Sequence, residues 1–418
     1  MHIHGGYRVL VAALLLALGI GSAPAATMQI INGDAEGEGL NDRTSVAPVG
    51  GNDGGTRGEQ RRIALQYAAD ILGSRLDSAV PIRIAVRFDT LSCSATRASL
   101  GQTAPAQFAA GFADAARPDT LYPAALANAL AGRRVAAGTS DIDATFNAAL
   151  DGEDGCLGGR RWYYGLDRDP GAGEIDFIGT VLHELIHGLG FISLVALTDG
   201  RSADAGQFPR VADGRRLPDI YSRFVKDLSV AGQPSWPQMS DAERADSLDN
   251  GPDLVWADDN TANGAAFLDS GLNQGYVRLH APSPVVAGSS IAHWADALAP
   301  DQLMEPVLSA RAEGRNGLGL ATCALEAMGW TLINGARCPD FDTAAILGSA
   351  DESVAADTVE SETADTGGDV DDDDGGSSGG GCTLGTDTRF DPVWALLLGL
   401  SAWVLVRRRS SRAGTGTR

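Results

Sequence analysis

Six histidines occur in the 418-residue chain, and two of them flank a glutamate in His183-Glu184-Leu185-Ile186-His187. On a helix, positions i and i+4 share one face, so both imidazoles can reach a single metal ion. Zinc accepts neutral imidazole nitrogen, and a catalytic zinc keeps one position open beyond three protein ligands. Glu184 would then stand beside that position, where a carboxylate can take a proton from an attacking water and return it to a leaving amine. A pair of satisfied core histidines is the plain alternative. It is disfavoured because His2 and His4 lie in an apolar leader, so half of the remaining four histidines surround one glutamate.

The third ligand is less direct. The chain continues Gly188-Leu189-Gly190-Phe191, with a glycine where a sharp turn would bring another ligand round. A closely spaced third histidine would fall at position 193, which is Ser193. The downstream histidines are His280 and His293, and Asp199 or Asp204 could supply a carboxylate instead. His280 follows the strand-like run Tyr276-Val277-Arg278-Leu279 and reads as structural or surface. His293 lies in Ser289-Ser290-Ile291-Ala292-His293-Trp294, followed by Leu303-Met304-Glu305-Pro306.

Those two stretches, His183 to Phe191 and Ser289 to Pro306, resemble the leishmanolysin family of metzincins. In that family an HExxHxxGF helix is separated by a long insertion from a third histidine in a Ser-x-x-His-Trp context, and a Leu-Met-x-Pro methionine turn follows. The resemblance implies a zinc endopeptidase acting on proteins or peptides. It makes His183, His187 and His293 the metal ligands, Glu184 the general base, and Met304 the residue beneath the metal. The 105 residues between His187 and His293 exceed what the family leads one to expect. Gly58 to Trp330 also resembles uncharacterised bacterial exported proteins with an HE-x-x-HG-x-GF core. The rival class is a non-catalytic zinc-containing surface adhesin or binding module, against which Glu184 argues, since a structural site has no use for a general base.

Elements must position these residues. Glu59 to Leu76 predicts an amphipathic helix, with Ile63, Ala64, Tyr67, Ala68, Ile71 and Leu72 inward and Arg61, Arg62, Gln66 and Asp70 on the surface. Pro81 to Asp89 alternates as a strand. Leu121 to Leu130 reads as a short helix, and Ile142 to Leu150 suits strand or helix. Ile175 to Leu189 predicts the motif helix, with Gly188 and Gly190 stopping it. Thr198 to Val286 is loop-rich, and Leu318 to Met328 reads as a closing helix. The expected fold is α+β, a zincin or metzincin-like pair of subdomains with the active-site helix in the first and a loop-rich second one carrying His293. Tyr221 and Tyr276 are candidates for stabilising an oxyanion, Trp162-Tyr163-Tyr164 for core or groove wall, and Asp176 for the helix dipole. Asp258-Asp259-Asn260 lacks the spacing of a calcium loop.

Residues 1–26 read as a secretory signal, with Arg8, an apolar run from Val9 to Ile20 and Ala23-Pro24-Ala25. The peptidase domain is expected over 27–340 and an acidic Gly/Ser-rich linker over 341–381, where Asp351 to Asp374 holds eleven acids and no base. That run supplies half of the net charge of −22, and the acidity argues against nucleic acid or anionic membrane as a partner. Residues 382–418 combine Cys382, an apolar run from Val393 to Val406 and an arginine cluster. This order resembles the C-terminal sorting tails (the CTERM families) of Gram-negative bacterial surface proteins, which implies an exported protein whose tail engages membrane and sorting machinery. A permanent tail anchor is the plainer alternative, and a monomer is expected. Export permits disulfides. Of five cysteines, proximity along the chain pairs Cys93 with Cys156 and Cys323 with Cys338, leaving Cys382.

Overall fold

A computed structural model describes residues 25–151, 155–197, 204–307, 317–333 and 336–341, and the two-residue strand 383–384, which pairs with Ala98–Ser99. The expected signal segment up to residue 24, most of the expected linker and the apolar run Val393 to Val406 lie outside the described residues. Among the described residues no helix is long and apolar enough to cross a membrane.

The first sheet contains β1 (Met28–Asn32), β2 (Ile82–Asp89), β3 (Gly101–Pro105) and β4 (Ile142–Asn147) in the order β1-β2-β4-β3. The first three in that order run parallel, and β3 lies antiparallel at the edge. The alternation in β2 holds: Ile82, Ile84, Val86 and Phe88 are buried and Arg87 is exposed. The ambiguous segment after residue 142 divides into strand β4 and a 3-10 turn over Ala148–Asp151. Helix α1 (Arg57–Gly73) begins at a capping box between Thr56 and Glu59, two residues before its expected start. Helix α2 (Ala124–Ala131) starts later than expected, because Tyr122–Pro123 is spent on a short strand.

Arg61 corrects the reading of α1. It is buried, 3% exposed, with its guanidinium donating to the Tyr164 hydroxyl at 3.0 Å and to Asp151. Helix periodicity put Arg61 on the solvent side, but the Ala148–Asp151 turn and Tyr164 fold over that side. Trp162, Tyr163 and Tyr164 are accordingly core, with the Trp162 ring nitrogen donating to the Asn147 carbonyl at 2.8 Å.

Helix α3 (Phe177–Leu189) is buried along all thirteen residues rather than on one face. Gly188 stays inside the helix, where a Cβ would come 2.4 Å from Ile142 of β4. The stop is Gly190, whose φ of 127° no residue with a side chain readily adopts. The Trp330 ring nitrogen donates to the Leu189 carbonyl, so the segment after the closing helix caps this helix end. Asp176, just before α3, is held by Arg168 at 2.8 Å.

The stretch expected to be loop has structure of its own. A small antiparallel sheet forms from β5 (Val225–Asp227), β6 (Leu254–Trp256), β7 (Leu272–Asn273) and β8 (Tyr276–Arg278), in the order β5-β6-β8-β7. Helices α4 (Asp241–Ser247) and α5 (Asp259–Gly264) flank it, and Asp258 caps α5 through the Thr261 amide. The closing helix is α6 (Ala321–Met328), three residues shorter at its start than expected. One contiguous buried apolar cluster joins both sheets. Cys93–Cys156 and Cys323–Cys338 form disulfides, the two expected pairs.

Truncating Arg61 to alanine takes from Asp151, whose side chain is 8% exposed, its near cation and leaves it only the Arg57 guanidinium at 4.0 Å. Breaking a buried pair on one side costs about 3–5 kcal/mol. Urea denaturation of Arg61→Ala should show a loss in that range, and a loss near that of a surface pair, about 0–1 kcal/mol, would refute the buried pairing.

Candidate metal centre

Three imidazoles meet at the C-terminal end of α3. His183 and His187 are fully buried on consecutive turns, and His293 is fully buried opposite them. Their Nε2 atoms are separated by 3.0 Å (His183 to His187) and by 3.2 Å for each of the other two pairs. Each Nδ1 faces a main-chain carbonyl: His183 that of Leu303 at 2.6 Å, His187 that of Phe191 at 2.7 Å, and His293 that of Ser289 at 2.7 Å. A carbonyl only accepts, so each Nδ1 carries the proton and each Nε2 presents its lone pair inward. These three side chains could hold one metal ion.

Electrostatics agree with that proton placement. Burial pushes the imidazole of His187 down to about 4. Burial also pushes His183 and His293 well below their ordinary value, and the neighbouring imidazoles add to the shift. All three are therefore neutral near pH 7, the form that ligates.

The other candidates separate from this cluster. His280 lies against Asp296 at 3.5 Å, and its contribution to the centre is through its backbone. Its amide donates to the His293 carbonyl at 2.9 Å, and its carbonyl accepts from Ile291 at 2.7 Å. The sheet formed by the long insertion thus delivers the third histidine. Asp204 is exposed and stands outside the cluster, and Asp199 lies outside the described residues. Ser193 joins a buried polar chain instead, with its hydroxyl 3.2 Å from that of Ser222, which donates to Asp219 at 2.8 Å. Asp219 also accepts from the Leu194 amide, which pins the loop leaving α3.

Met304 is fully buried, and its carbonyl accepts from the Trp294 amide at 2.8 Å. The turn containing it reaches the centre through Leu303, whose carbonyl holds His183. Tyr221 does not offer a hydroxyl to an open position. It is buried and donates to the Ile291 carbonyl at 2.5 Å. Tyr276 is half-buried on β8. Cys93, engaged in its disulfide with Cys156, is no free thiol for the centre.

Glu184 is fully buried on α3 beside His183. Gly101, the first residue of edge strand β3, presses on it: a Cβ there would lie 2.9 Å from the Glu184 carboxyl and from its Cγ. Sequence reasoning missed Gly101, although a glycine opening a strand is the usual sign of close approach by another group. It also missed the carbonyls of Leu303, Phe191 and Ser289, for which no side-chain signal exists.

A family model described as SPBPB7E8-like matches residues 53–199, a span that includes His183, Glu184 and His187 and ends before His293. No curated protein and no solved structure matches the chain.

Unfolded imidazoles titrate near about 6.5. Between that pH and the lowered folded values, the unfolded chain binds more protons than the folded one, so acid in this window destabilises the metal-free fold. Above about pH 6.5 these groups add no pH dependence. Calorimetry of the chelator-treated protein should show a midpoint that falls between pH 6.5 and pH 5, by more than in His187→Gln; an equal fall would assign the effect to other groups. At the edge strand, Gly101→Ala should leave metal affinity unchanged while displacing the Glu184 carboxylate.

Proposed function

We propose that the chain is an exported zinc endopeptidase of the metzincin type, with His183, His187 and His293 as ligands and Glu184 as general base. One observation carries the reading: three neutral, buried imidazole nitrogens converge beside a glutamate that shares a helix with two of them. Three nitrogens at about 2.0–2.1 Å from a tetrahedral zinc would lie about 3.3–3.4 Å apart, close to the observed 3.0–3.2 Å. An all-imidazole donor set suits zinc and not the hard, oxygen-seeking cations. Three protein ligands also match an open, catalytic site better than a closed structural one.

When bound, zinc supplies Lewis acidity to the scissile carbonyl and lowers the pKa of the attacking water. Glu184 accepts the proton as that water attacks the peptide carbon, and delivers it to the departing amine nitrogen. Strand β3, at the sheet edge and in contact with Glu184, offers backbone N–H and C=O groups to an extended peptide, so main-chain pairing would lay the scissile bond over the centre. The first sheet with α1 to α3 forms one wall of such a cleft, and the second sheet with His293 and the Met304 turn forms the other. Met304 serves as apolar support beneath the metal. Two disulfides and the secretory leader fit an exported protein at a bacterial surface, and the acidity disfavours nucleic acid.

The test is zinc content and cleavage of denatured casein by the chain from Thr27, beside Glu184→Ala and His293→Ala. Expected are cleavage by the wild type, zinc retained with activity down about 10²–10⁴-fold in Glu184→Ala, and zinc lost in His293→Ala. Equal zinc in wild type and Glu184→Ala, with no cleavage of any peptide library by either, would assign the chain to the adhesin or binding-module class.

A further inference from the structure

We propose that Tyr221 is a positioning residue for the third ligand, its hydroxyl holding the strained turn that aims His293 at the centre. The inference rests on the metal-centre reading and concerns a residue that touches neither metal nor substrate.

The turn departs from regular pairing. In an antiparallel ladder, the two hydrogen bonds of one residue go to a single partner. Here the His280 carbonyl accepts from Ile291, while its amide donates to His293, so three residues stand opposite one. Such a bulge re-aims a side chain. Its cost falls on Ile291, which is fully buried with φ +74°. A β-branched residue in the left-handed region is a backbone outlier, and such strain persists only where the surroundings over-determine it.

The over-determining contact is the Tyr221 hydroxyl, which donates to the Ile291 carbonyl at 2.5 Å from a fully buried position. Two residues further on, the His293 Nδ1 returns to the Ser289 carbonyl, closing the turn on itself. Tyr221 is itself fixed. Its ring lies edge-on to Phe191 at 5.0 Å and to Trp256 at 4.8 Å. Phe191 is the residue whose carbonyl holds His187. One tyrosine thus links the carbonyl that orients the second ligand to the turn that orients the third. This fits a role in setting the geometry of the imidazole cluster and no role at the reacting atoms.

Tyr221→Phe keeps the ring and deletes only the hydroxyl. In the chain from Thr27, zinc affinity is measured by competition with a chromophoric chelator, and the thermal midpoint is read on the metal-free form. The loss of an orienting contact behind a ligand should weaken zinc binding by about 10–100-fold, with activity restored by saturating zinc. Adding Ile291→Gly, which reaches a positive φ without strain, should recover most of that loss. If Tyr221→Phe alone does not fold, the double variant decides: affinity near wild type supports the proposal, and a loss of about tenfold or more overturns it. Wild-type zinc binding with an unchanged Tyr221→Phe affinity overturns this proposal alone. Absence of zinc binding by the wild type overturns the metal reading and this one together.

Discussion

Three lone pairs pointed at one another across 3.0–3.2 Å, on fully buried side chains, form the constraint on which the rest of this molecule turns. Neutral imidazole has one donor and one acceptor nitrogen. The carbonyls of Leu303, Phe191 and Ser289 take the donors, which leaves only acceptors facing inward. Protonation could relieve the repulsion by turning an acceptor into a donor, but burial opposes a charge there and holds His187 down to about 4. A bound cation would relieve it by accepting all three lone pairs at once, coordination offsetting the cost of burying its charge. The orienting groups are all main chain, so the centre depends on backbone paths being held to within fractions of an ångström.

Those paths come from opposite halves of the chain. Helix α3 is buried along its whole length, which gives it no freedom to rotate His183 and His187 out of line. Phe191 lies just past the Gly190 turn, and Trp330 closes the same helix end from the C-terminal side. The third histidine arrives along the small second sheet, through the His280 backbone, and the next segment, Leu303–Met304, pairs with Trp294. The long insertion between the ligands is therefore the scaffold of the third one. Ser193 illustrates the alternative use of a position: where a short-spaced ligand would stand, a buried Ser193–Ser222–Asp219 chain fastens the loop instead.

Glu184 and β3 couple the chemistry to the sheet. Only a glycine at position 101 lets the edge strand lie against the carboxylate, so the strand that would pair with a peptide and the group that would move its proton share one contact. The aromatic layer of Phe191, Tyr221, Trp256 and Trp294, with ring centres 4.7–6.0 Å apart, packs behind the histidines and carries the strain stored at Ile291.

The local pattern alone determined the helix over the His183–His187 motif, the β2 alternation, the Gly190 stop and the α+β class, because period and capping act over a few residues or a single turn. The two disulfide pairs, 63 and 15 residues apart, were expected only from order along the chain, and the fold brings them together. Resemblance to the leishmanolysin family, through the Ser-x-x-His-Trp context, brought His293 forward, and the structure gathers its imidazole with those of His183 and His187. Tertiary structure decided what local pattern cannot carry. Arg61 sits on the polar side of its own helix and is buried only because Asp151 and Tyr164, some ninety and one hundred residues away, cover it. Of the second sheet only the Tyr276–Arg278 strand was legible, because its strands are two or three residues long, too short to show a period of two. Gly101, the three orienting carbonyls and the Tyr221–Ile291 bond were invisible for a shared reason: main-chain groups and missing side chains have no residue signature, and they acquire meaning only when a distant part of the chain is brought against them.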